Sequence, residues 1–210
     1  MADNEGTIHI SVSTVRNDLS KFVDCISDIV GEFEKIQGGY IDGTEAVWNT
    51  PVAHTFISSV TGSFNDYIGQ FNQYFDEGYD RFLTNANELF RSQNADQVEK
   101  QDLEKIVDLS VNWTEASDDF NVPIEYGSFT TNNFTTYVNE IITNLNTMND
   151  CITDAVENGM SGEFCAEIQA SIDSLIKSAT SVAEDYDSTT AKNAVDEDEV
   201  IQSLRSGSAE

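Results

Sequence analysis

Four long stretches of this chain carry apolar residues at steps of three and four, and proline almost never interrupts them: only Pro51 and Pro123 occur in 210 residues. That step is the period of an α-helix with one buried face. Proline removes a backbone donor and clashes with the preceding turn, so its scarcity permits long helices. The first stripe runs Val15, Leu19, Phe22, Val23, Ile26, Ile29, Val30, Phe33 and Ile36. Ser13 or Thr14 is the expected N-cap, after a short extended lead-in from Thr7 to Val12. Gly38 and Gly39 are expected to end this helix, because glycine readily takes the left-handed conformation of a helix C-terminus.

A turn-rich stretch, GGYIDGTEAVWNT, leads to Pro51, a favourable first helical residue with Thr50 or Asn49 as its cap. The second stripe includes Phe56, Val60, Phe64, Phe71, Phe75, Phe82 and Leu89, a helix of about forty residues. Residues 91–128 break the pattern. A short helix is expected over Gln97–Leu109, followed by a loop with Pro123 and Gly127 as punctuation. Phe134, Val138, Ile141, Leu145, Met148 and Ile152 mark a third helix, and Asn158-Gly159 a turn. Cys165, Ile168, Ile172, Leu175, Ala179, Val182 and Tyr186 mark a fourth. The expected fold is all-α: two tandem antiparallel helical hairpins packed as an elongated four-helix bundle. The first hairpin spans 1–90, the connecting segment 91–128 and the second hairpin 129–190; an acidic tail follows over 191–210.

The two hairpins read as a repeat. The first turn is WNTPVAHTF, from Trp48 to Phe56, and the second is MSGEFCAEI, from Met160 to Ile168. In each, a large apolar residue is followed two positions later by a small one (Thr50, Gly162), and by apolar residues at four (Val52, Phe164) and eight (Phe56, Ile168). Placing Met160 on Trp48 also places Ile172 on Val60 and Ile176 on Phe64. One hairpin leaves part of its apolar stripe uncovered; two packed together cover it.

A helical hairpin with Trp-x-Gly at its turn resembles the small WXG (Esx-like) proteins of type VII secretion systems. The family pattern has a Phe eight positions after the Trp. Trp48 and Phe56 match it, with Thr50 where the family has Gly; Gly162 matches in the second half, with Met160 and Ile168 in place of Trp and Phe. The resemblance covers about residues 8–90 and 124–190, and the lead-in TIHISVSTVRNDL belongs to it. It implies a fused pair of hairpins, a monomeric pseudo-dimer or a homo-oligomer, that binds through helical faces, to the secretion machinery among others. It also implies Trp48, Thr50, Phe56, Met160, Gly162 and Ile168 as residues of partner or secretion recognition. Tyr186 stands where the family's Tyr-x-x-x-acid export signal would begin, with Thr190 at the acidic position.

Ten Lys and Arg against 38 Asp and Glu leave a net charge of −28. Too few cations exist to neutralise a row of phosphates, so no nucleic acid is expected as partner. An anionic membrane surface is equally unfavourable, and no stretch approaches a membrane span, so no membrane insertion is expected. The charge favours solubility and basic partners. The start, MADNEGTIHISV, lacks the basic and apolar regions of a cleavable signal. The expected location is therefore the medium or the cell surface by a leaderless route, or else the cytoplasm.

Chemistry is sparse. His9 and His54 are the only histidines, and neither falls into a Cys–His or Ser–His–Asp set. Cys25, Cys151 and Cys165 lack metal-ligand spacing and read as small apolar helix residues, with a Cys25–Cys151 or Cys151–Cys165 bridge as the alternative. The acidic run at 196–200 lacks the spaced ligands of a calcium loop, and there is no phosphate-binding glycine loop. Asn112-Trp113-Thr114 and Asn133-Phe134-Thr135 match the glycosylation sequon. Neither an enzyme nor a cofactor is expected. The expected function is that of an exported or partner-binding helical protein, or alternatively an acidic chaperone, inhibitor or adaptor for a basic protein.

Overall fold

The computed structural model describes residues 9–47, 49–114 and 126–186. The fold is an all-α helical bundle, with no strand among the described residues. Helix α1 spans Val12–Lys35, α2 Asp42–Val47, α3 Pro51–Ser92, α4 Tyr126–Glu157 and α5 Gly162–Asp185. The four long helices, α1, α3, α4 and α5, pack against one another.

The helix starts follow local chemistry. Ser11, rather than Ser13 or Thr14, caps α1: its Oγ accepts from the Thr14 amide at 3.4 Å, and its carbonyl accepts from Val15 at 3.1 Å. Thr50 caps α3 as expected, its Oγ1 accepting from the Ala53 amide at 3.1 Å, with Pro51 as first helical residue. The turn after α4 is a glycine-terminated one. Gly159 has φ of 107°, and the Met160 amide reaches back to the Ala155 carbonyl at 3.0 Å.

Besides the α1 cap, two expectations fail. Gly38 and Gly39 do not end the first helix; the chain continues as a π-helical stretch, Ile36–Ile41, directly into α2. Gly159 is the glycine with positive φ among the described residues, and a glycine held at negative φ stops nothing. Gly39 instead permits a close approach, since a Cβ there would lie 2.8 Å from Tyr137 Oη. The second failure is the short helix over Gln97–Leu109. Residues 95–114 are non-helical. Their main chain bonds to side chains of the helices, of the π-helical stretch and of Asn49 instead of to itself, and this replaces the i→i+4 ladder.

The chain divides into two compact units. The first comprises Met1–Asp28, Gln70–Lys105 and Thr143–Ile176; the second comprises Ile29–Gly69, Ile106–Ile142 and Lys177–Glu210. In the first unit, Phe22 meets Phe82 edge-on at 5.5 Å, and the Arg16 guanidinium lies 4.7 Å from the Phe90 ring centre. These pairs run in opposite directions, so α1 and α3 are antiparallel. Thr153 with Gln169 and Asn149 with Asp173 establish the same for α4 and α5. The Arg81–Glu167 ion pair joins α3 to α5. The Ser11 amide donates to the Asn158 carbonyl at 3.2 Å, tying the lead-in to the second hairpin's turn.

In the second unit, aromatic rings from every segment meet. Phe134 of α4 stacks on Tyr186 at 4.0 Å and 21°, and lies 5.1 Å from Tyr40 and 5.5 Å from Phe64. Phe33 of α1 meets Phe64 of α3 at 5.4 Å. Burying such a ring contributes about 1.5–3 kcal/mol relative to leaving it in water.

Candidate functional site

The residues that sequence pattern singles out fall into both units. In the second unit lie Thr50, Phe56 and Tyr186. Thr50 is buried and serves as the α3 cap. Phe56 lies 5.7 Å from Tyr186, and the Tyr40 hydroxyl donates to the Tyr186 hydroxyl at 3.2 Å. Burial, with Tyr186 alongside, drives the Tyr40 phenol well above its usual range, so it stays a neutral donor. In the first unit lie Met160 and Ile168, both buried, and Gly162, which is exposed. A Cβ at Gly162 would meet Val156 Cγ1 at 3.8 Å, an ordinary contact, so sterics do not demand glycine there. Trp48 lies outside the described residues, as do Thr190 and residues 196–200. Phe56, Ile168 and Tyr186 spend their surfaces on the interior.

The ionisable interior belongs to the first unit. Cys25, Cys151 and Cys165 are buried free thiols, so neither alternative bridge forms. Burial pushes Cys25 up to about 11 and Cys151 up to about 12, and raises Cys165 as well. A thiol that keeps its proton is a poor nucleophile and a poor metal ligand. Asp18 is buried with Oδ2 unpartnered. Its carboxyl rises from 3.8 to about 6, chiefly through burial and then through the Asp154 carboxylate, against the pull of Lys21. No group of three or more metal-ligating side chains occurs among the described residues.

No family model matches the chain, and neither does any curated protein or solved structure.

Among the described residues, no helix is long and apolar enough to cross a membrane. Surface depressions occur among the described residues of the first unit. One, of about 210 Å³, includes Tyr74, Glu77, Arg81 and Glu167; another, of about 440 Å³, lies between α3 and residues 100–105. Their cations are paired: Arg81 with Glu167, Lys100 with Asp80, and Lys105 with Asp76.

The feature that sequence pattern missed is the seating of the 95–114 segment. In the first unit Asn87 brackets Val98, accepting its amide at 2.7 Å and donating to its carbonyl at 2.9 Å, and the Gln101 amide donates to Tyr79 Oη at 3.2 Å. In the second unit Asn65 brackets Leu109 in the same manner, and Gln37 brackets Ser110. Ile106, Leu109 and Trp113 are buried beneath them. Trp113 entered the sequence reading only as the middle of a sequon; the side chain of its neighbour, Asn112, donates to Ser110 Oγ at 2.9 Å. One signal was available: Gln37 and Asn65 carry carboxamides, each with a donor and an acceptor able to bracket a main-chain unit.

Proposed function

We propose that this chain is a non-enzymatic WXG-like (Esx-like) helical protein of a type VII secretion system, exported or acting as a binding partner through its helical faces. The observation that carries the reading is the antiparallel course of both α1 with α3 and α4 with α5 within one chain, the intramolecular counterpart of two paired hairpins. The turn residues Trp48, Thr50, Phe56 and Gly162 support it by their spacing. The test is genetic. Deleting the membrane ATPase of the system should remove the protein from the medium and the cell surface and raise its level inside the cell. An unchanged distribution would refute the proposal.

The charge favours a second reading, an acidic chaperone, inhibitor or adaptor for a basic protein. Of the ten Lys and Arg, Lys35, Arg81, Lys100 and Lys105 are engaged with carboxylates of the chain itself. The remaining acidic surface attracts cations at long range. A basic partner captured at low salt should be released at high salt, because exposed charges are screened within about 10 Å at 0.1 M. A partner retained through both washes would speak against this reading.

A further inference from the structure

Within the second unit, Ile106–Thr114 is held as a bound peptide would be held. Asn65 Nδ2 donates to the Leu109 carbonyl at 2.8 Å, while its Oδ1 accepts the Leu109 amide at 2.9 Å. Gln37 repeats the bracket one residue on, accepting the Ser110 amide at 2.9 Å and donating to its carbonyl at 3.0 Å. Glu45 accepts both the amide of Thr114, at 2.7 Å, and its hydroxyl, at 3.0 Å. Asn49 Nδ2 donates to the Thr114 carbonyl at 3.3 Å. Brackets of this kind read main-chain atoms, which every residue carries, so they fix an extended course without choosing a sequence. Choice comes from three sockets, filled by Ile106, Leu109 and Trp113. The last of these donates its indole N–H to the Ile41 carbonyl at 3.2 Å and meets His54 edge-on at 5.8 Å. Val107, between the first two sockets, is 79% exposed and unread.

The fit is incomplete at one end. Asn49 Oδ1 is buried with no hydrogen-bond partner, on the residue whose Nδ2 holds the Thr114 carbonyl, while Thr114 itself occupies the Glu45 carboxylate. A buried acceptor without a donor is costly, and a donor-bearing occupant would relieve it. We infer that this groove is a receptor for an extended segment of another protein, and that the chain's own Ile106–Thr114 fills it in its absence. The segment that fits carries an aliphatic residue, a second aliphatic three positions on, an aromatic four further on, and Arg or Lys directly after it. The cation would face Glu45 and supply the donor that Asn49 Oδ1 lacks. A basic end also suits a chain of net charge −28. This inference stands independently of export.

The probes are two fluorescein-labelled peptides, one with the sequence of residues 104–114 and one with Arg in place of Thr114. The receptor is the full chain with Leu109→Ala and Trp113→Ala, which empties two sockets. Anisotropy should show the stripped chain binding the Arg peptide at least tenfold more tightly than the unaltered chain does, and several-fold more tightly than it binds the Thr peptide. Asn65→Leu in the stripped chain should abolish binding. A stripped chain of undiminished helix content that binds neither peptide, or binds both equally, would overturn the inference. Should the stripped chain lose helix content, hydrogen exchange on the unaltered chain decides. Excess Arg peptide should speed exchange at the Leu109 and Ser110 amides, and unaltered rates would overturn the inference. A dimer of the unaltered chain that Asn65→Leu dissolves would make the occupant a second copy, and would equally overturn the assignment to another protein.

Discussion

The two units cover the same four helices with different side chains. In the second, α1, the π-helical stretch, α3, α4 and the end of α5 all send aromatic rings to one place, around Phe134. In the first, the ring contacts among the described side chains come from α1 and α3, with aliphatic side chains and the thiols of Cys25, Cys151 and Cys165 around them, and a carboxyl is buried there too. Ring pairs have preferred geometries and hold their neighbours in register. Aliphatic and sulfur groups pack with less direction and leave room for an ionisable group.

The largest effect should come from emptying the aromatic centre. Phe134→Ala removes a fully buried ring in contact with Tyr40, Phe64 and Tyr186, and should cost about 3–5 kcal/mol in urea unfolding. The matching truncation in the first unit, Leu145→Ala, should cost less, about 2–4 kcal/mol. Equal losses would break the contrast between the two cores.

Asp18→Asn sharpens the contrast from the other side. The folded chain holds the Asp18 proton more tightly than the unfolded chain, about 6 against 3.8. Stability from this group is therefore complete below about pH 4, falls as pH climbs between those values, and is lost above about pH 6. The loss is about 3 kcal/mol at most, and the Asn variant should be free of it. Urea midpoints of the two proteins from pH 4 to pH 7 measure the difference, and parallel curves would show that Asp18 titrates alike in the folded and unfolded chain.

The smallest effects distinguish the two hairpin connections. Gly159→Ala forces a side chain into positive φ, with its Cβ 3.0 Å from Ile10 Cγ1, and should cost about 1–2 kcal/mol. Gly39→Ala meets only the far end of Tyr137, a half-buried side chain that can swing aside, and alanine favours the helix. Its net effect should stay within about 0.5 kcal/mol. Thermal melts compare them; a Gly39 variant as damaged as the Gly159 variant would mean that the first connection turns at its glycines after all.

The long helices were legible because their apolar residues keep the helical step over many turns, and local spacing suffices to see that. The Asn158-Gly159 turn was legible for a similar reason: its glycine satisfies a demand made within a few residues. Gly38-Gly39 misled because both keep a helical backbone, and the one close approach there, of Tyr137 to Gly39, comes from nearly a hundred positions away. Residues 97–109 misled because Val98, Ile106 and Leu109 keep helix-like spacing while Asn87 and Asn65 claim the main-chain bonds that a helix needs. The grip on Ser110 and Trp113 depends on Gln37 and Ile41, which are 73 and 72 residues away. No local pattern announces partners at that range.

The make-up of the first unit governs when the protein can fold during its synthesis. Three separated stretches build this unit, the last of them Thr143–Ile176, so most of the chain must leave the ribosome before the earliest helix has all its partners. Until then α1 and α3 can cover only part of each other's apolar sides. Contacts between distant positions also slow closure. The nascent chain thus spends its longest wait in the state most open to a chaperone or a premature companion.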